Sequence, residues 1–326
     1  MRALLRLTVI VVALALLLPT ALVNPEPTQQ SQASSSPPEP TAVNDRALRF
    51  TVRSGNTVET VTMADYLPGV LAGEMPASFA TQALMAQAVA ARTYILHRMA
   101  HQSPAHPEAV ICNDPACCKA YADESALREN WGTHYEAYRA KLTQAVSATD
   151  GEYLTYEAQP IEAVFHSSSA GKTESSSNIW NDRPYLISVE SPENDENMPE
   201  LTSSAAFSST EFRQMFKTRY PLIQFGDEPS HWITYLSRNS SGRVQSAVIG
   251  DTTLSGADIR RVLDLRSTNF SVDFADDTFT FTVTGYGHGV GMSQYGANIY
   301  AGEGWDYREI LAHYYPGTQL TTSDSK

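Results

Sequence analysis

The chain has 326 residues, of which 42% are hydrophobic and 18% are charged, and its formal net charge at pH 7 is −13. These proportions are those of a folded globular protein with a hydrophobic core, and they exclude a chain that is disordered throughout. The acidic excess argues against a protein that binds nucleic acid or adheres to anionic lipids, because both partners attract basic surfaces.

The N-terminus has the pattern of a membrane anchor. Two arginines lie within residues 1–6, and residues 7–23 are apolar except for two threonines and one proline. A basic start followed by an apolar run is typical of an export signal or of a single membrane-spanning segment. Since no clear small-x-small cleavage site follows, we predict a signal anchor over residues 1–23, with the rest of the chain outside the cytoplasm. Residues 24–45, rich in Pro, Ser and Gln, predict a disordered linker.

Residues 46–320 carry the periodic patterns of one folded domain, followed by a short tail over 321–326. The strongest pattern is that of a helix over 79–100, which is dense in Ala, Leu, Met and Gln and has one apolar stripe. Strands and helices mix without a regular βαβ alternation. We therefore predict an α+β fold in which helices and antiparallel strands surround one cleft, with an inserted lobe over about 190–275. In chain order, the other predicted elements are a hairpin over 49–61, a short helix over 65–72, a strand after the turn at 150–151, a strand over 163–165, a helix over 211–220, strands over 232–237 and 243–249, a helix over 255–263, a strand over 278–284 and helices over 294–301 and 307–315.

Glu74 lies between the two first predicted helices, in the sequence Gly73-Glu74-Met75-Pro76. A carboxylate beside the positive end of a helix that starts at a proline is stabilised there, so these residues alone favour a helix-capping glutamate over a catalyst. The following helix contains Arg92 in an otherwise apolar run. Its guanidinium must reach an edge or a buried acceptor, because an unpaired buried charge is very unfavourable.

Two polar segments lie farther along the chain. The first, HSSSAGKT over 166–173, reads by itself as a serine-rich surface loop, and a Ser-His-Asp hydrolase is weakly indicated because no G-x-S-x-G elbow is present. The second, GYGHGVGMSQYG over 285–296, has neither the lysine of a phosphate loop nor the spacing of a dinucleotide motif. It follows a predicted strand and precedes a helix that Ser293 caps, so its backbone amides face a potential ligand. On these residues alone His288 is a histidine in a turn.

Three segments, in this order, resemble the motifs of the SpoIID/LytB family: YLPGVLAGEMPASFATQALMAQAVAARTY, HSSSAGKT and GHGVGMSQYGA. The resemblance extends from about Phe50 to about Leu320. It implies a lytic transglycosylase that cleaves the glycan strands of peptidoglycan between N-acetylmuramic acid and N-acetylglucosamine and leaves 1,6-anhydro ends. The glutamate of the family's E-M-P motif is its catalytic acid, and Glu74 stands at that position.

A single carboxylate suits this chemistry. The 6-hydroxyl of the sugar itself closes on the anomeric carbon, so one residue can protonate the leaving oxygen and then accept the hydroxyl proton. To hold a proton, Glu74 needs apolar or crowded surroundings. The resemblance also implies that the second and third motifs line the glycan groove, so that Glu74 and His288 face one groove. The implied substrate-binding residues are Arg92, Tyr94, His166, Ser167, Ser168, Tyr286, His288, Gln294 and Tyr295. The family more often has Gly at Ala170, Arg at Lys172 and Trp at Tyr286.

Three cysteines lie close together, at positions 112, 117 and 118, with His106 before them. Outside the cytoplasm an odd number predicts either a disulfide with a leftover thiol or a metal site. The four side chains suit tetrahedral zinc, whereas the alternatives are a Cys112–Cys117 or a Cys112–Cys118 disulfide. Some members of the family resemble this segment, with a histidine where Cys117 stands, and bind zinc there. With four protein ligands such zinc is structural, and catalysis needs no cofactor.

The resemblance further implies an engulfment role in sporulation, peptide-stripped strands as the preferred substrate, and hence an amidase as a partner. It places the domain at the cell membrane, facing the cell wall. The alternative from another class is a non-catalytic peptidoglycan-binding protein that enhances an amidase, as some members of the family are described. A zinc hydrolase is disfavoured because the chain has no H-E-x-x-H motif.

Overall fold

Two hydrophobic clusters organise the fold of this computed structural model, which describes residues 44–198 and 200–322. The larger cluster is built around the first two helices, and the smaller one draws its buried residues from Phe212 to Val283. The predicted anchor over 1–23 lies outside the described residues, and no helix within them is long and apolar enough to cross a membrane. The mixture of helices with mostly antiparallel sheets confirms the predicted α+β class.

The first part of the chain combines short strands with longer helices. They are β1 (Arg49–Ser54), β2 (Thr57–Thr62), α1 (Met63–Glu74), α2 (Thr81–Ala100), β3 (Ile111–Cys112), α3 (Glu124–Trp131), α4 (Tyr135–Ala148), β4 (Glu152–Tyr156), β5 (Gln159–Pro160), β6 (Phe165–His166), β7 (Gly171–Lys172) and β8 (Glu190–Ser191). β1 and β2 form the predicted hairpin, and β3 joins β1 in parallel. Thr62 caps α1 by accepting a hydrogen bond from the Asp65 amide, so this helix begins two residues before the predicted start.

The second part of the chain is richer in strands. Its elements are β9 (Thr202–Ser208), α5 (Ser209–Arg219), β10 (Ile233–Arg238), β11 (Val244–Ile249), β12 (Thr252–Ser255), α6 (Gly256–Leu263), β13 (Phe270–Ala275), β14 (Thr278–Thr284), β15 (Met292–Ser293), α7 (Gln294–Gly302), α8 (Tyr307–Tyr314) and β16 (Gln319–Thr322). β16 pairs with β4, so the strand includes the first two residues of the segment predicted as a tail.

Helix α2 is the centre of the larger cluster. Nearly every residue from Ala83 to Ile95 is buried, on all faces of the helix rather than on the single stripe that its sequence predicts. A helix that is apolar all round is surrounded by other elements, and α1, α4, α7, α8 and β4 pack around this one. Its alanines allow these neighbours to come close, which is why so small a set of side chains fills the core.

Arg92 projects from α2 into a buried ion pair. Its Nε and one Nη donate to the two carboxylate oxygens of Asp45 at 2.8 and 2.6 Å, and its other Nη donates to the Glu152 carbonyl at 2.9 Å. Both charged side chains are buried, and each of the three guanidinium nitrogens of Arg92 has an acceptor within the fold. The expectation that Arg92 binds substrate is therefore corrected. Asp45, predicted to end the linker, belongs to the folded unit.

Residues 202–284, from β9 to β14, form the second lobe. Its two three-stranded sheets have the orders β13-β14-β9 and β10-β11-β12, and α5 and α6 pack on them. The core of this lobe is rich in stacked rings, among them Phe212, Phe279 and Trp232. The lobe overlaps the predicted insertion but continues into β14, because β14 pairs along its whole length with β9.

One buried carboxylate joins the second lobe to the larger cluster. Glu174, which is fully buried, accepts hydrogen bonds from Asn239 Nδ2 at 2.6 Å and Ser241 Oγ at 2.9 Å, both in the turn between β10 and β11. Next to this turn Arg243, also buried, donates to the Lys172 carbonyl at 2.9 Å. The second lobe is thereby fixed against the segment that follows the serine-rich motif.

Candidate active site

The glycine-rich segment packs against the protein's own backbone. Alternate glycines adopt positive φ angles, namely Gly285 at 79°, Gly287 at 109°, Gly289 at 86° and Gly291 at 73°. A Cβ on Gly287 would lie 2.8 Å from His166 Cβ, and one on Gly291 would collide with the Val164 carbonyl. Reciprocal hydrogen bonds join Ser168 and Tyr286 at 3.1 and 2.9 Å. The glycines therefore allow residues 164–169 to come close to this segment. A side chain at Gly285, Gly287 or Gly291 would collide with those residues.

The serine-rich segment packs against β15 and the start of α7. Ser293 caps α7 by accepting from the Gly296 amide at 3.2 Å, as predicted. The Ser293 hydroxyl also donates to the buried Glu193 carboxylate, which accepts from the Ser169 amide at 2.8 Å. Ser168 is buried as well. The segment predicted as a groove surface is thus largely internal, and half-buried Ser167 is its more accessible serine.

His166 is a buried histidine whose two nitrogens are both engaged. Nδ1 lies 3.2 Å from the Val290 carbonyl, and Nε2 lies 2.7 Å from the Ser169 hydroxyl. Burial, followed by the neighbouring His288, holds the pKa of His166 well below its usual value. A neutral ring that donates from Nδ1 and accepts at Nε2 satisfies both contacts. His166 supports the site from within.

His288 is half-buried and lies near two aromatic rings and three positively charged side chains. Its Nδ1 accepts a hydrogen bond from the Val290 amide at 3.0 Å, so the proton of the neutral ring is on Nε2. Burial lowers the pKa of His288 to about 3, and the positive charges of Lys119, Arg260 and Arg243 act in the same direction. His288 is therefore neutral near pH 7, with its hydrogen on Nε2. Trp180 meets its ring edge-on, with centroids 5.3 Å apart.

Glu74 ends α1 and is half-buried. Its Oε1 accepts a hydrogen bond from the Ala120 amide at 2.8 Å. The residue before, Lys119, is buried, with its Nζ 3.6 Å from the centre of the Phe165 ring and 4.2 Å from that of Tyr94. Burial lowers the pKa of Lys119 to about 8, and the Glu74 charge opposes that change. Lys119 therefore interacts electrostatically with both Glu74 and His288. These two residues, far apart in the sequence, lie near the same ammonium group.

The other predicted groove residues differ in accessibility. Tyr94 is buried beneath Lys119, and Gln294 is also buried. Tyr295 is half-buried and meets Phe79 edge-on, with ring centroids 4.9 Å apart. Tyr286 is 51% exposed, which makes its ring an accessible platform next to His288. Of the predicted set, the residues with surface available to a glycan are therefore Glu74, Ser167, Tyr286, His288 and Tyr295.

Sequence reasoning missed Lys119 and Trp180. Lys119 follows the cysteine pair, and its place beside Glu74 depends on how that segment folds back across α1. Trp180 is 40% exposed in a polar segment, SSSNIWND, where a large apolar ring without a neighbouring apolar run is unusual. That isolation is the signal that would have identified Trp180 as a surface for ligand contact.

The cysteine segment has the donor set of a tetrahedral metal site. One ligand atom from each of His106, Cys112, Cys117 and Cys118 lies within 4.8 Å of the others, and the three cysteines carry free thiols. His106 Nδ1 lies 2.9 Å from the Ala109 carbonyl, which leaves Nε2 directed at Cys118 Sγ, 3.2 Å away. Nitrogen and thiolate donors with an oriented histidine suit zinc. Cys118 immediately precedes Lys119 and Ala120, so this cluster adjoins the segment that contacts Glu74.

Three cavities within the described residues lie elsewhere. One of them, about 760 Å³, lies between α5 and α6 of the second lobe. Smaller ones of about 560 and 240 Å³ lie along α1 and α4. Neither Glu74 nor His288 lines any of them, so the single cleft expected around Glu74 stays a prediction.

Comparisons with known proteins agree with the three motifs. Residues 52–156 match the SpoIID family, described as Stage II sporulation protein. The chain is 37% identical to Stage II sporulation protein D of Bacillus subtilis over 334 residues, which covers 96% of this chain and 94% of that protein. It is also 37% identical to Stage II sporulation protein D of Bacillus amyloliquefaciens, with the same coverage of both chains.

A more distant relative has a different name. The protein called Amidase enhancer in Bacillus subtilis is 28% identical over 304 residues, covering 78% of this chain and 40% of that protein. The shared region therefore corresponds to most of this chain but to less than half of that relative.

Proposed function

Because the chain belongs to the SpoIID/LytB family, we propose that it is a peptidoglycan lytic transglycosylase with Glu74 as its single catalytic acid and base. It cleaves the bond between N-acetylmuramic acid and N-acetylglucosamine and leaves 1,6-anhydro-muramic ends. We also propose that it acts in sporulation, on strands from which an amidase has removed the stem peptides. Its place is the outer face of the cell membrane, to which residues 1–23 anchor it.

The reaction balances on one carboxyl group. Glu74 donates its proton to the glycosidic oxygen while the bond from that oxygen to the anomeric carbon breaks. The 6-hydroxyl oxygen of the muramic residue then bonds to the anomeric carbon, and its proton passes to the Glu74 carboxylate. The acid is restored, and no water is consumed.

The placement of Glu74 is the observation that carries this proposal. One carboxylate oxygen is held by the Ala120 amide, which fixes the plane of the group and leaves Oε2 for proton transfer. Partial burial at the end of α1 restricts water around it. The Nε2 proton of His288 and the rings of Tyr286 and Trp180 offer a hydrogen-bond donor and stacking surfaces for sugars.

The second candidate is a non-catalytic peptidoglycan-binding protein that enhances an amidase. The relative named Amidase enhancer favours it. The same accessible rings would bind glycan in that case, and Glu74 would contribute no chemistry. An amidase is a proposed partner under both alternatives.

Product analysis separates the two functions. The full-length protein and its Glu74→Gln variant are incubated with intact and with amidase-treated peptidoglycan, and anhydro ends are measured by mass spectrometry. We expect such ends from the wild type and none from Glu74→Gln, whereas the exposed Glu303→Gln control stays active. Release of no anhydro ends by the wild type from either substrate would favour the binding protein. Equal release by Glu74→Gln would show that another residue is the acid.

The cysteine cluster is proposed as a structural zinc site with no part in the chemical steps. Metal analysis of the purified protein, with a count of free thiols, tests this. One zinc per chain supports the site, whereas two thiols lost to oxidation without metal would indicate one of the two disulfides instead.

A further inference from the structure

Two arginines of the second lobe lie beside the rings of the candidate site. Arg266 follows α6, and its guanidinium carbon is 5.6 Å from the centre of the Tyr286 ring. The Arg266 carbonyl also accepts a hydrogen bond from the Gly287 amide at 2.9 Å, which ties this turn to the glycine-rich segment. Arg260 lies six residues earlier, near the end of α6, and the second lobe thus presents two guanidinium groups where Tyr286 and His288 are accessible.

The Arg260 side chain is held in place by a backbone carbonyl at the end of α6. Its Nε donates to the Leu265 carbonyl at 3.0 Å, so the side chain is folded back over the end of α6. It is half-buried, and its charge is close enough to lower the pKa of both His288 and His166. The two outer nitrogens of Arg260 make no hydrogen bond within the described residues. A fixed stem with free donors suits recognition of an anion.

Neither guanidinium group forms an ion pair within the part of the chain that the structure describes. Within the residues that the structure describes, neither Arg260 nor Arg266 has a carboxylate oxygen within 4 Å. Arg261, next to Arg260 on the same helix, pairs instead with Asp258 at 2.8 Å. The Asp264 carboxylate attracts Arg260 from farther away. In a chain with a net charge of −13, two arginines without an ion-pair partner among the described residues, one of them beside the exposed Tyr286 ring, indicate a ligand with negative charge.

We propose that Arg260 and Arg266 form a carboxylate-binding subsite for the substrate glycan. This inference rests on the proposed function. Planar guanidinium groups bind carboxylates through paired, charge-assisted hydrogen bonds. Peptidoglycan offers carboxylates from two sources: the lactyl group of a muramic residue, which is free only when its stem peptide has been removed, and the stem peptide itself. The subsite makes the second lobe a determinant of which strands are bound.

Binding measurements on a catalytically silent background test the subsite. The full-length Glu74→Gln protein is titrated by calorimetry with three probes of equal length: peptide-free strands, the same strands with their lactyl carboxylates converted to methylamides, and peptide-bearing strands. The Arg260→Gln and Arg266→Gln substitutions are added to this background one at a time. Arg261→Gln is the matched control, because it removes the same charge from the same helix but from the side that faces Asp258.

We expect the peptide-free strands to bind about tenfold more tightly than their methylamides, as one or two charge-assisted hydrogen bonds allow. Arg260→Gln and Arg266→Gln should each reduce that preference, and Arg261→Gln should preserve it. Unchanged binding of the methylamides in the variants shows that they are folded. If the peptide-bearing strands also lose affinity in the arginine variants, the subsite accepts a carboxylate of the stem peptide as well. If they do not, it is specific for the lactyl group.

The subsite would be overturned if the protein with both arginines bound acid and methylamide strands equally and the peptide-bearing strands were insensitive to the arginine substitutions. An equal loss of affinity for acid and methylamide strands in the variants would overturn it as well. In that case, anhydro products formed by the protein with Glu74 intact would still support the transglycosylase activity. Conversely, arginine-dependent binding without any anhydro product would overturn the transglycosylase and retain the subsite. Failure of all three probes to bind would overturn the subsite together with glycan recognition.

Discussion

The two sides of the candidate site are held by different means. On one side Glu74 ends a helix and is contacted by the segment that directly follows the cysteine cluster. On the other side His288 is placed by backbone-to-backbone contacts that alternate glycines permit, with Arg243 buried beneath Gly289. The first arrangement depends on a few side chains, whereas the second depends on the absence of side chains. Changes of the first kind should therefore alter chemistry, and changes of the second kind should alter the fold.

The largest effect is expected from Glu74→Gln on the chemical side of this comparison. Loss of the only acid and base should lower the rate of anhydro-end formation by about 100-fold or more. The free energy of unfolding should change by less than about 1 kcal/mol, since the amide can still accept from Ala120. Rate assays and denaturant unfolding of the same preparations check both halves. A large loss of stability would place Glu74 among the structural residues.

Gly291→Ala should break the opposite side. The residue has a φ of 73°, and a Cβ would collide with the Val164 carbonyl, so strain and overcrowding together should cost about 3 kcal/mol. Gly304→Ala is the control, because Gly304 has a φ of 99° with nothing near its missing Cβ, and only strain of about 1 kcal/mol is expected. Urea unfolding measures both variants. Similar losses would contradict the role assigned to backbone contact.

Ser293→Ala tests a side-chain contact on the side of His288 and should have a smaller effect than Gly291→Ala. It removes the cap of α7 and the hydrogen bond to Glu193, so we expect a loss of about 1 to 2 kcal/mol. Asp306→Ala, at the cap of the exposed start of α8, is a matched control with about 1 kcal/mol expected. A smaller loss at Ser293 than at Asp306 would show that the contact with Glu193 contributes nothing.

The last prediction concerns pH. The pKa of His288 is lowered to about 3 in the folded protein, whereas an unfolded histidine takes up a proton near pH 6.5. The unfolded state therefore binds the proton first as the pH falls, and stability present above about pH 6.5 declines toward pH 3. His166 adds to this decline in the same direction. His288→Gln should reduce the loss of stability between pH 7 and pH 5. An unchanged loss would mean that His288 is not buried among cations.

The sequence predicts the local elements well and their contacts poorly. The helix expected over 79–100 is observed as Thr81–Ala100, and the Ser293 cap stands where its motif indicates, because both depend on residues within one or two turns. The resemblance implies that Arg92 binds substrate, whereas in the structure Arg92 pairs with Asp45, 47 positions away in a segment that resembles a linker. The close approach of residues 164–169 to the glycines is likewise not visible in a linear pattern.

The same distinction applies to the site. Glu74 and His288 belong to recognisable motifs, so a resemblance identifies both. Lys119, Arg243 and Arg260 belong to no motif that we could recognise, and only the folded chain brings their charges to His288. Residues that act through a tertiary electrostatic field leave no periodic or short-range signal in the sequence.

The central claim, that one carboxyl group cleaves glycan without water, is tested most directly in water enriched in oxygen-18. Amidase-treated peptidoglycan is digested by the full-length protein in that solvent, and the new ends are analysed by mass spectrometry. The predicted products are anhydro-muramic ends that carry no oxygen-18 and weigh one water less than hydrolysed ends. Reducing ends labelled with oxygen-18 would show that water attacks the anomeric carbon and would contradict the single-carboxylate mechanism.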